Sequence, residues 1–321
     1  MNSIGGYFEL ELEIKKEYHQ NAIRLNLGRC AFEYILRVRK FRKVYLPYYT
    51  CEVMLHPIKR LGIEYEFYKI DEDFTPMFDF SLISDKDGFL YTNYFGLMDK
   101  AVRKIAKKCK NLIVDNAQAF YSKPIKGIDT FYSPRKFFGV PDGAYLYTKV
   151  TLKTNLKRDR SYQRCCHLLR RIDESPESGF SDFHANEKSL NKLPIMQMSN
   201  LTQKLLQSIN YRKAAKIRRQ NYSILHEVLG KYNKLKFDLL PDSIPMVYPF
   251  LTSKPNLREY LINNKIYVAR YWPNVLEWCD KDNVEYNYAM NIVPLPIDQR
   301  YGIKELIPIT KAVEKYVKSK R

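Results

Sequence analysis

The stretch Leu112–Leu146, LIVDNAQAFYSKPIKGIDTFYSPRKFFGVPDGAYL, decides the fold. It opens on a short apolar run, Leu112-Ile113-Val114, that ends on Asp115. A brief run rich in β-branched residues reads as a buried strand. Twenty-one residues after Asp115, Lys136 stands in the turn-rich segment FYSPRKFFGVPDG. In open α/β sheets, ligands gather at the carboxyl ends of the strands. A strand-end carboxylate and a lysine on a following turn can then face one pocket. A lysine for a Schiff base and an acid against a pyridinium nitrogen are what pyridoxal phosphate (PLP) chemistry requires. The plainer alternative is a structural acid and one surface side chain among 54 Lys+Arg.

Working outward, Lys43–Leu46 reads as a strand stopped by Pro47, and Tyr48-Tyr49-Thr50-Cys51 opens a helix to about Leu61. Glu64–Tyr68 and Phe89–Thr92 are further strands, and a helix over Lys100–Lys108 leads into Leu112–Val114. Asp129–Tyr132 and Ala144–Thr148 bracket the lysine. Strands alternating with helices indicate βαβ units and a mostly parallel sheet, with right-handed crossovers placing successive strand ends on one side. Nearer the start, Tyr7–Ile14 alternates apolar and acidic residues and reads as a half-exposed strand or an extended arm. Gly28 precedes a helix marked by Ala31, Tyr34, Ile35 and Val38. The free N–H groups of such a helix start suit a phosphate, although an ordinary loop also explains a lone glycine.

Beyond Thr148 the character changes. Leu156–Arg171 reads as a basic helix, Asp173–Lys192 as a polar loop and Ser199–Leu229 as one long helix. Val247–Leu251 and Ile266–Arg270 read as strands, Asn256–Asn263 and Ile303–Lys318 as helices, and Asn291–Pro296 as an extended apolar segment. The expected organisation is a large domain over 1–230, with an N-terminal arm over 1–20 and a connecting helix over about 199–229, and a small domain over 231–321.

The composition agrees with an ordered protein: 321 residues, 45% hydrophobic and 28% charged. No run approaches the roughly 18 apolar residues of a membrane span. Met1–Lys16 is acidic-apolar, unlike a secretory signal, so a cytoplasmic protein is expected. The six cysteines (Cys30, Cys51, Cys109, Cys165, Cys166 and Cys279) form no CxxC pair, and the five histidines are scattered, which speaks against a metal site. The net charge of +19 favours anionic partners. No zinc-finger or RNP-type signature accompanies it, so nucleic acid is not the expected partner.

An ordered series of motifs runs through most of the chain: LNLGRCAFEYIL ending at Leu36, VYLPYYTCEV (44–53), TNYFG (92–96), LIVDNAQAF (112–120), the lysine segment (131–146) and NIVPLPIDQRYG (291–302). In order and spacing the series resembles the DegT/DnrJ/StrS sugar aminotransferases, which are PLP-dependent enzymes of fold type I. The resemblance implies an α/β fold with a mostly parallel central sheet flanked by helices and a smaller C-terminal α/β domain. It implies that Lys136 holds PLP and shuttles a proton, that Asp115 pairs with the pyridinium nitrogen, and that Gln118 reaches the cofactor's 3′-oxygen side. Ser133 and the backbone at Gly28, Arg29 and Cys30 would bind the 5′-phosphate. Three positions depart from the family pattern. Ser133 lies only three residues before Lys136, Arg29 stands where a small hydroxyl residue is common, and Cys51 replaces an aromatic that stacks on the cofactor. Tyr49 or Tyr94 would then supply the stacking ring.

The resemblance further implies transfer of an amino group from an amino acid, with glutamate the expected donor, to a keto-sugar carried on a nucleotide. The setting would be surface-polysaccharide or lipopolysaccharide biosynthesis, and the assembly a homodimer. Arg135 would meet either substrate phosphate or solvent. Arg270, Tyr271 and Trp272 lie where related folds close over substrate, although a core tryptophan with a flanking surface arginine is the preferred reading. Asp298 and Arg300 read as turn-fixing residues. Two other readings stand beside this one. The chain would be a degenerate relative acting as a basic binding protein, or a PLP enzyme of other chemistry such as a dehydratase, in which a histidine replaces the lysine; Lys136 argues against the last.

Overall fold

A computed structural model describes residues 4–319; residues 1–3 of the expected arm and 320–321 of the expected small domain lie outside the described residues. Strands β1 (Ile23–Leu25), β2 (Lys43–Pro47), β3 (Glu64–Ile70), β4 (Pro76–Met77), β5 (Asp87–Thr92), β6 (Leu112–Asn116), β7 (Asp129–Tyr132) and β8 (Ala144–Tyr147) form one sheet. Its order is β1-β8-β7-β6-β5-β2-β3-β4. Helices α1 (Gly28–Arg39), α2 (Leu55–Leu61) and α3 (Asp99–Ala106) alternate with the strands. The five central strands β3, β2, β5, β6 and β7 are parallel, as the alternating pattern predicts.

Connectivity sets the site. β8 returns antiparallel to β7, and β1 lies antiparallel to β8. Two reversals restore the direction of the parallel set, so β1 also ends at the common carboxyl edge. The segments that follow β1, β2, β5, β6 and β7 therefore all open there: Gly28, Tyr48–Cys51, Asn93–Gly96, Asn116–Gln118 and Ser133–Lys136.

Both faces of the sheet are buried, which explains the unbroken apolar runs. In β6, Leu112 and Val114 join one core cluster and Ile113 the other, the latter packing with Ala31, Phe32 and Ile35 of α1. Each such aliphatic side chain contributes about 1.5–3 kcal/mol by leaving water. α1 starts without a side-chain cap and ends where Lys40 turns left-handed (φ 54°) and donates its N–H to the Leu36 carbonyl. Arg39, in its last turn, binds Asp129 at the start of β7 through two hydrogen bonds of 2.6 and 2.9 Å. That fork fixes α1 across the sheet face.

The second half holds α4 (Cys166–Asp173), α5 (Phe180–Leu190), α6 (Asn200–Gln207), α7 (Tyr211–Leu229), β9 (Tyr248–Phe250), α8 (Leu257–Asn263), α9 (Val275–Trp278), α10 (Val284–Asn291), β10 (Val293–Leu295) and α11 (Ile303–Lys318). β9 and β10 pair antiparallel as a separate two-stranded sheet.

Four expectations are corrected here. Residues 156–165 are not α-helical, because Asp159 and Gln197 exchange backbone bonds with the neighbouring segment (Asp159 N to Gln197 O 3.0 Å, Gln197 N to Lys157 O 2.9 Å). The expected loop over 173–192 contains α5, since its breakers Pro176 and Gly179 precede the helix instead of interrupting it. The long helix over 199–229 is two helices: Asn210 accepts the Lys213 N–H at 3.0 Å and caps a fresh start. Ile266–Arg270 is not a strand; it joins no ladder. Residues 7–14 form an exposed segment without strand pairing, an arm and not a strand.

Candidate active site

Side-chain alternation continues past the strand ends. Asp115 follows Ile113 by two residues and Ser133 follows Phe131 by two, so both turn toward the face covered by α1. Gly28 stands at that face. A Cβ at Gly28 would lie 3.9 Å from the Ser133 Cβ and 3.9 Å from the Phe131 ring. The first turn of α1 carries no acidic residue and its N-cap makes no side-chain bond, so its leading N–H groups are left without a side-chain partner at the sheet edge. Ser133 is buried beside them, with no side-chain cap bond to the turn that it begins. Arg29 lies half-buried and donates to Asn191 Oδ1 at 3.0 Å, with the charges of Arg135 and Glu187 also acting on it. Cys30 points away: its thiol faces the Leu193 and Pro194 carbonyls at 3.9 and 3.5 Å, leaving only its backbone for the pocket.

Asp115 is 6% exposed. Burial pushes its carboxyl up to about 6, against the pull of the neighbouring Lys136 ammonium and the Ala117 N–H that it accepts at 2.8 Å. Lys136 is exposed at the end of the tight turn Pro134–Lys136, and the N–H groups of Phe137 and Phe138 both return to the Pro134 carbonyl at 2.9 Å. The lysine Nζ lies 5.9 Å from the ring centroids of both Tyr271 and Trp272. Burial pushes the Tyr271 phenol up to about 12, with Arg218 drawing it down. Arg135, beside the lysine, forms a salt bridge with Glu187 of α5.

Gln118 is 1% exposed, and its Oε1 accepts the Phe95 N–H at 2.9 Å. Its Nε2 is buried without a hydrogen-bond partner. A native fold rarely leaves a buried amide half-used, so that donor awaits an acceptor. The neighbouring turn is built for close approach. Gly96 has φ +73°, and a Cβ there would meet the Ile244 and Gln118 carbonyls at 3.0 and 3.1 Å.

The structure separates Cys51 from the two expected stacking rings, Tyr49 and Tyr94. Tyr49 and Tyr94 are both 0% exposed and stack on one another, centroids 5.5 Å apart, with the Tyr94 hydroxyl donating to the Tyr49 carbonyl at 3.0 Å. Each is thereby engaged in the core. Cys51 is half-buried, and its thiol, raised by burial, feels Lys136, Asp115 and Arg29 together. The position that departs from the family pattern therefore borders the pocket.

The donor set fits PLP. A buried carboxylate near a lysine, an unpartnered amide donor and an uncapped helix start with an adjacent serine match a ring nitrogen, a phenolic oxygen and a phosphate. Among the described residues, no three His, Cys, Asp or Glu side chains gather as a metal site. Sequence reasoning missed Arg218 and Gln299, which hold the backbone just after Lys136. A signal for Arg218 was present: buried Tyr211, Ala214, Arg218, Asn221, Tyr222, Leu225 and Leu229 share one stripe of α7, and polar residues within a core stripe mark a buried network.

No family model matches the chain, and no curated protein matches it by sequence. Solved structures do. DesV of S. venezuelae, solved in complex with a ketimine intermediate, superimposes with a TM-score of 0.62 at 16% identity, over 94% of this chain and 85% of that one. A DegT DnrJ EryC1 StrS aminotransferase from Brucella abortus gives 0.62 at 15% identity, over 93% and 86%. NtdA of Bacillus subtilis, with bound cofactor PMP, gives 0.65 at 14% identity, over 93% and 73%. At such identities the likeness is one of architecture, and it agrees with the motif order read from the sequence. The chain has the fold of the DegT/DnrJ/EryC1/StrS sugar aminotransferases, fold type I.

Proposed function

We propose that this chain is a PLP-dependent aminotransferase. It takes an amino group from an amino acid, with glutamate as donor, and delivers it to a keto-sugar carried on a nucleotide. It acts in the cytoplasm as a homodimer and serves surface-polysaccharide or lipopolysaccharide assembly. The observation that carries the reading is the meeting of Asp115, Lys136 and the unpartnered Gln118 amide at one sheet edge, beside the open start of α1. The neighbours' architecture supports it, as does the cofactor bound in NtdA. Among the described residues, no helix is long and apolar enough to cross a membrane.

PLP supplies an electron-accepting ring that makes a proton on the amino-bearing carbon removable. The residues of this chain do the rest. Lys136 would hold PLP through its side-chain amine and would carry the proton at the substrate carbon. Asp115, reluctant to hold its charge without a partner, gains one in a protonated ring nitrogen and keeps that proton in place. Gln118 Nε2 donates to the phenolic oxygen. The backbone of Gly28, Arg29 and Cys30, with Ser133, cradles the phosphate. Tyr271 and Trp272 stand beside the lysine, each ring centroid 5.9 Å from its amine. Residues 1–230 form the large domain in this proposal and 231–321 the small one. The net charge of +19 suits a diphosphate-bearing substrate.

The test is direct. The protein is incubated with PLP, reduced with borohydride and mapped by mass spectrometry. We expect a visible absorbance band and a single labelled site at Lys136, both absent in Lys136→Ala. In a separate, unreduced sample, glutamate should convert the bound cofactor to its amino form, and a nucleotide-linked keto-sugar should convert it back. A colourless protein that takes up no PLP would leave a basic binding protein as the better reading of the +19 charge.

A further inference from the structure

Among the described residues, no carboxylate hydrogen-bonds to the buried guanidinium of α7. Arg218, on α7, is 1% exposed, yet all its hydrogen bonds go to neutral acceptors. Nη2 donates to the Phe137 carbonyl at 3.1 Å, Nη1 to the Met246 carbonyl at 2.9 Å and Nε to Gln299 Oε1 at 2.9 Å. The guanidinium also lies 4.6 Å from the centroid of the Phe137 ring. Gln299 turns its own Nε2 to the same Phe137 carbonyl at 2.8 Å. The carbonyl immediately after Lys136 thus accepts two side-chain donors. Asp298, the carboxylate whose charge Arg218 feels, is occupied by Arg300 at 2.7 and 3.0 Å.

Burying an unpaired guanidinium is costly, and apolar packing of equal volume is commonly as stable. What an apolar side chain lacks is the planar fork that reaches several acceptors at once. The fork starts a relay. Arg218 holds the Met246 carbonyl, the Met246 N–H donates to the Phe95 carbonyl at 2.8 Å, and the Phe95 N–H is held by Gln118 Oε1 at 2.9 Å. One side chain on α7 therefore connects the Lys136 turn with the Gln118 amide across the pocket.

We propose that Arg218 is the positioning residue of this site, locking the Lys136 turn and the Gln118 side chain in one register so that amine and amide meet the same cofactor ring. The inference rests on the PLP reading above. A purely structural Arg218 would change stability and cofactor uptake together, whereas a positioning role separates covalent attachment from uptake, because the phosphate cradle at Gly28 and Ser133 is not among its contacts.

The experiment compares wild type with Arg218→Met, Arg218→Lys and Gln299→Leu by two readouts. The first is the rate of covalent PLP capture at Lys136 relative to non-covalent uptake, read after borohydride quench. The second, which needs no cofactor, is amide exchange at Phe137 and Phe138 relative to β2 and β5. For Arg218→Met we expect capture slowed at least tenfold, uptake within about threefold, and faster exchange confined to the turn. Arg218→Lys should fall between it and wild type, and Gln299→Leu should show the smallest change. Should Arg218→Met fail to fold, Arg218→Lys carries the test. Wild-type capture in the folded Arg218 variants, or capture and uptake falling equally, would overturn the proposal. If wild type itself takes up no PLP, the functional reading fails on that arm. Unchanged exchange at Phe137 and Phe138 in Arg218→Lys then overturns the positioning claim on its own.

Discussion

Asp115 and Asp142 flank Lys136 in sequence, both are buried, and they are held on opposite terms. Asp142 is 0% exposed and fully engaged: it accepts the Ser199 N–H at 3.0 Å, the Ser199 hydroxyl at 2.7 Å and the Thr202 hydroxyl. Ser161 adds a further hydroxyl 2.6 Å from that of Ser199. The cluster ties the end of the lysine segment to the start of α6. Asp115 accepts a single N–H, from Ala117, and burial holds its carboxyl near 6. A buried acid with its hydrogen bonds complete belongs to the architecture. One left incomplete beside a lysine and an unpartnered amide belongs to a site.

Mutating Lys136 to alanine should give the largest effect: complete loss of covalent PLP capture by mass spectrometry, with stability within about 0.5 kcal/mol of wild type because the side chain is exposed. Asp142→Ala should instead lower unfolding stability by about 3–5 kcal/mol in a denaturant melt, since it strands the buried donors of Ser199 and Thr202. An Asp142→Ala protein as stable as wild type would break the contrast between the two acids.

Asp115→Asn should do the reverse. The folded carboxyl is raised from 3.8 to about 6, so at neutral pH its ionisation opposes folding by up to about 3 kcal/mol. The cofactor-free variant should therefore melt higher than wild type while binding PLP more weakly. A lower melting temperature would show that Asp115 is structural after all.

The smallest effect is a pH slope, and it sharpens the comparison. His19 is 2% exposed, bonded to the Phe120 carbonyl at 2.8 Å and placed 3.2 Å from the Tyr147 hydroxyl, and burial lowers it from 6.5 to about 4. Between those values the unfolded chain binds the extra proton, so the His19 contribution is lost as pH falls from 6.5 toward 4. Asp115 acts oppositely: the folded state binds its proton first, so stability recovers as pH falls through 6 toward 3.8. As pH falls from 6 to 4, Asp115→Asn should lose more stability than wild type, by about 3 kcal/mol at most, measured by denaturant melts across that range.

Much of the architecture was legible in the chain. The apolar runs at 44–46, 89–92 and 112–114, separated by helical periodicity, specify parallel strands buried on both faces. Readings failed where a distant segment took over the backbone. Lys157–Asp159 pairs with Gln197, so the basic helix starts late. In the long helix, the Ser208–Asn210 stretch supplies its own stop and cap. Asp115, Lys136, Gln118, Gly28 and Ser133 lie in segments at one edge of the sheet, because the parallel strands end there and the two reversals through β8 bring β1 to the same edge. Tyr49 and Tyr94 were chosen for their rings, and the structure uses those rings on each other.

By itself the sequence determined that Lys43–Leu46, Phe89–Thr92 and Leu112–Val114 are buried strands whose ends share one side of the sheet, since these follow from short apolar runs, helical spacers and right-handed connections. Only the tertiary structure decided the charge state of Asp115, the unused donor of Gln118 and the clamp of Arg218 on the lysine turn. Those three depend on desolvation and on partners such as Phe137 and Gln299, each 81 positions from Arg218. Local sequence rules carry no information across such separations, whereas a buried polar group is governed by whatever surrounds it.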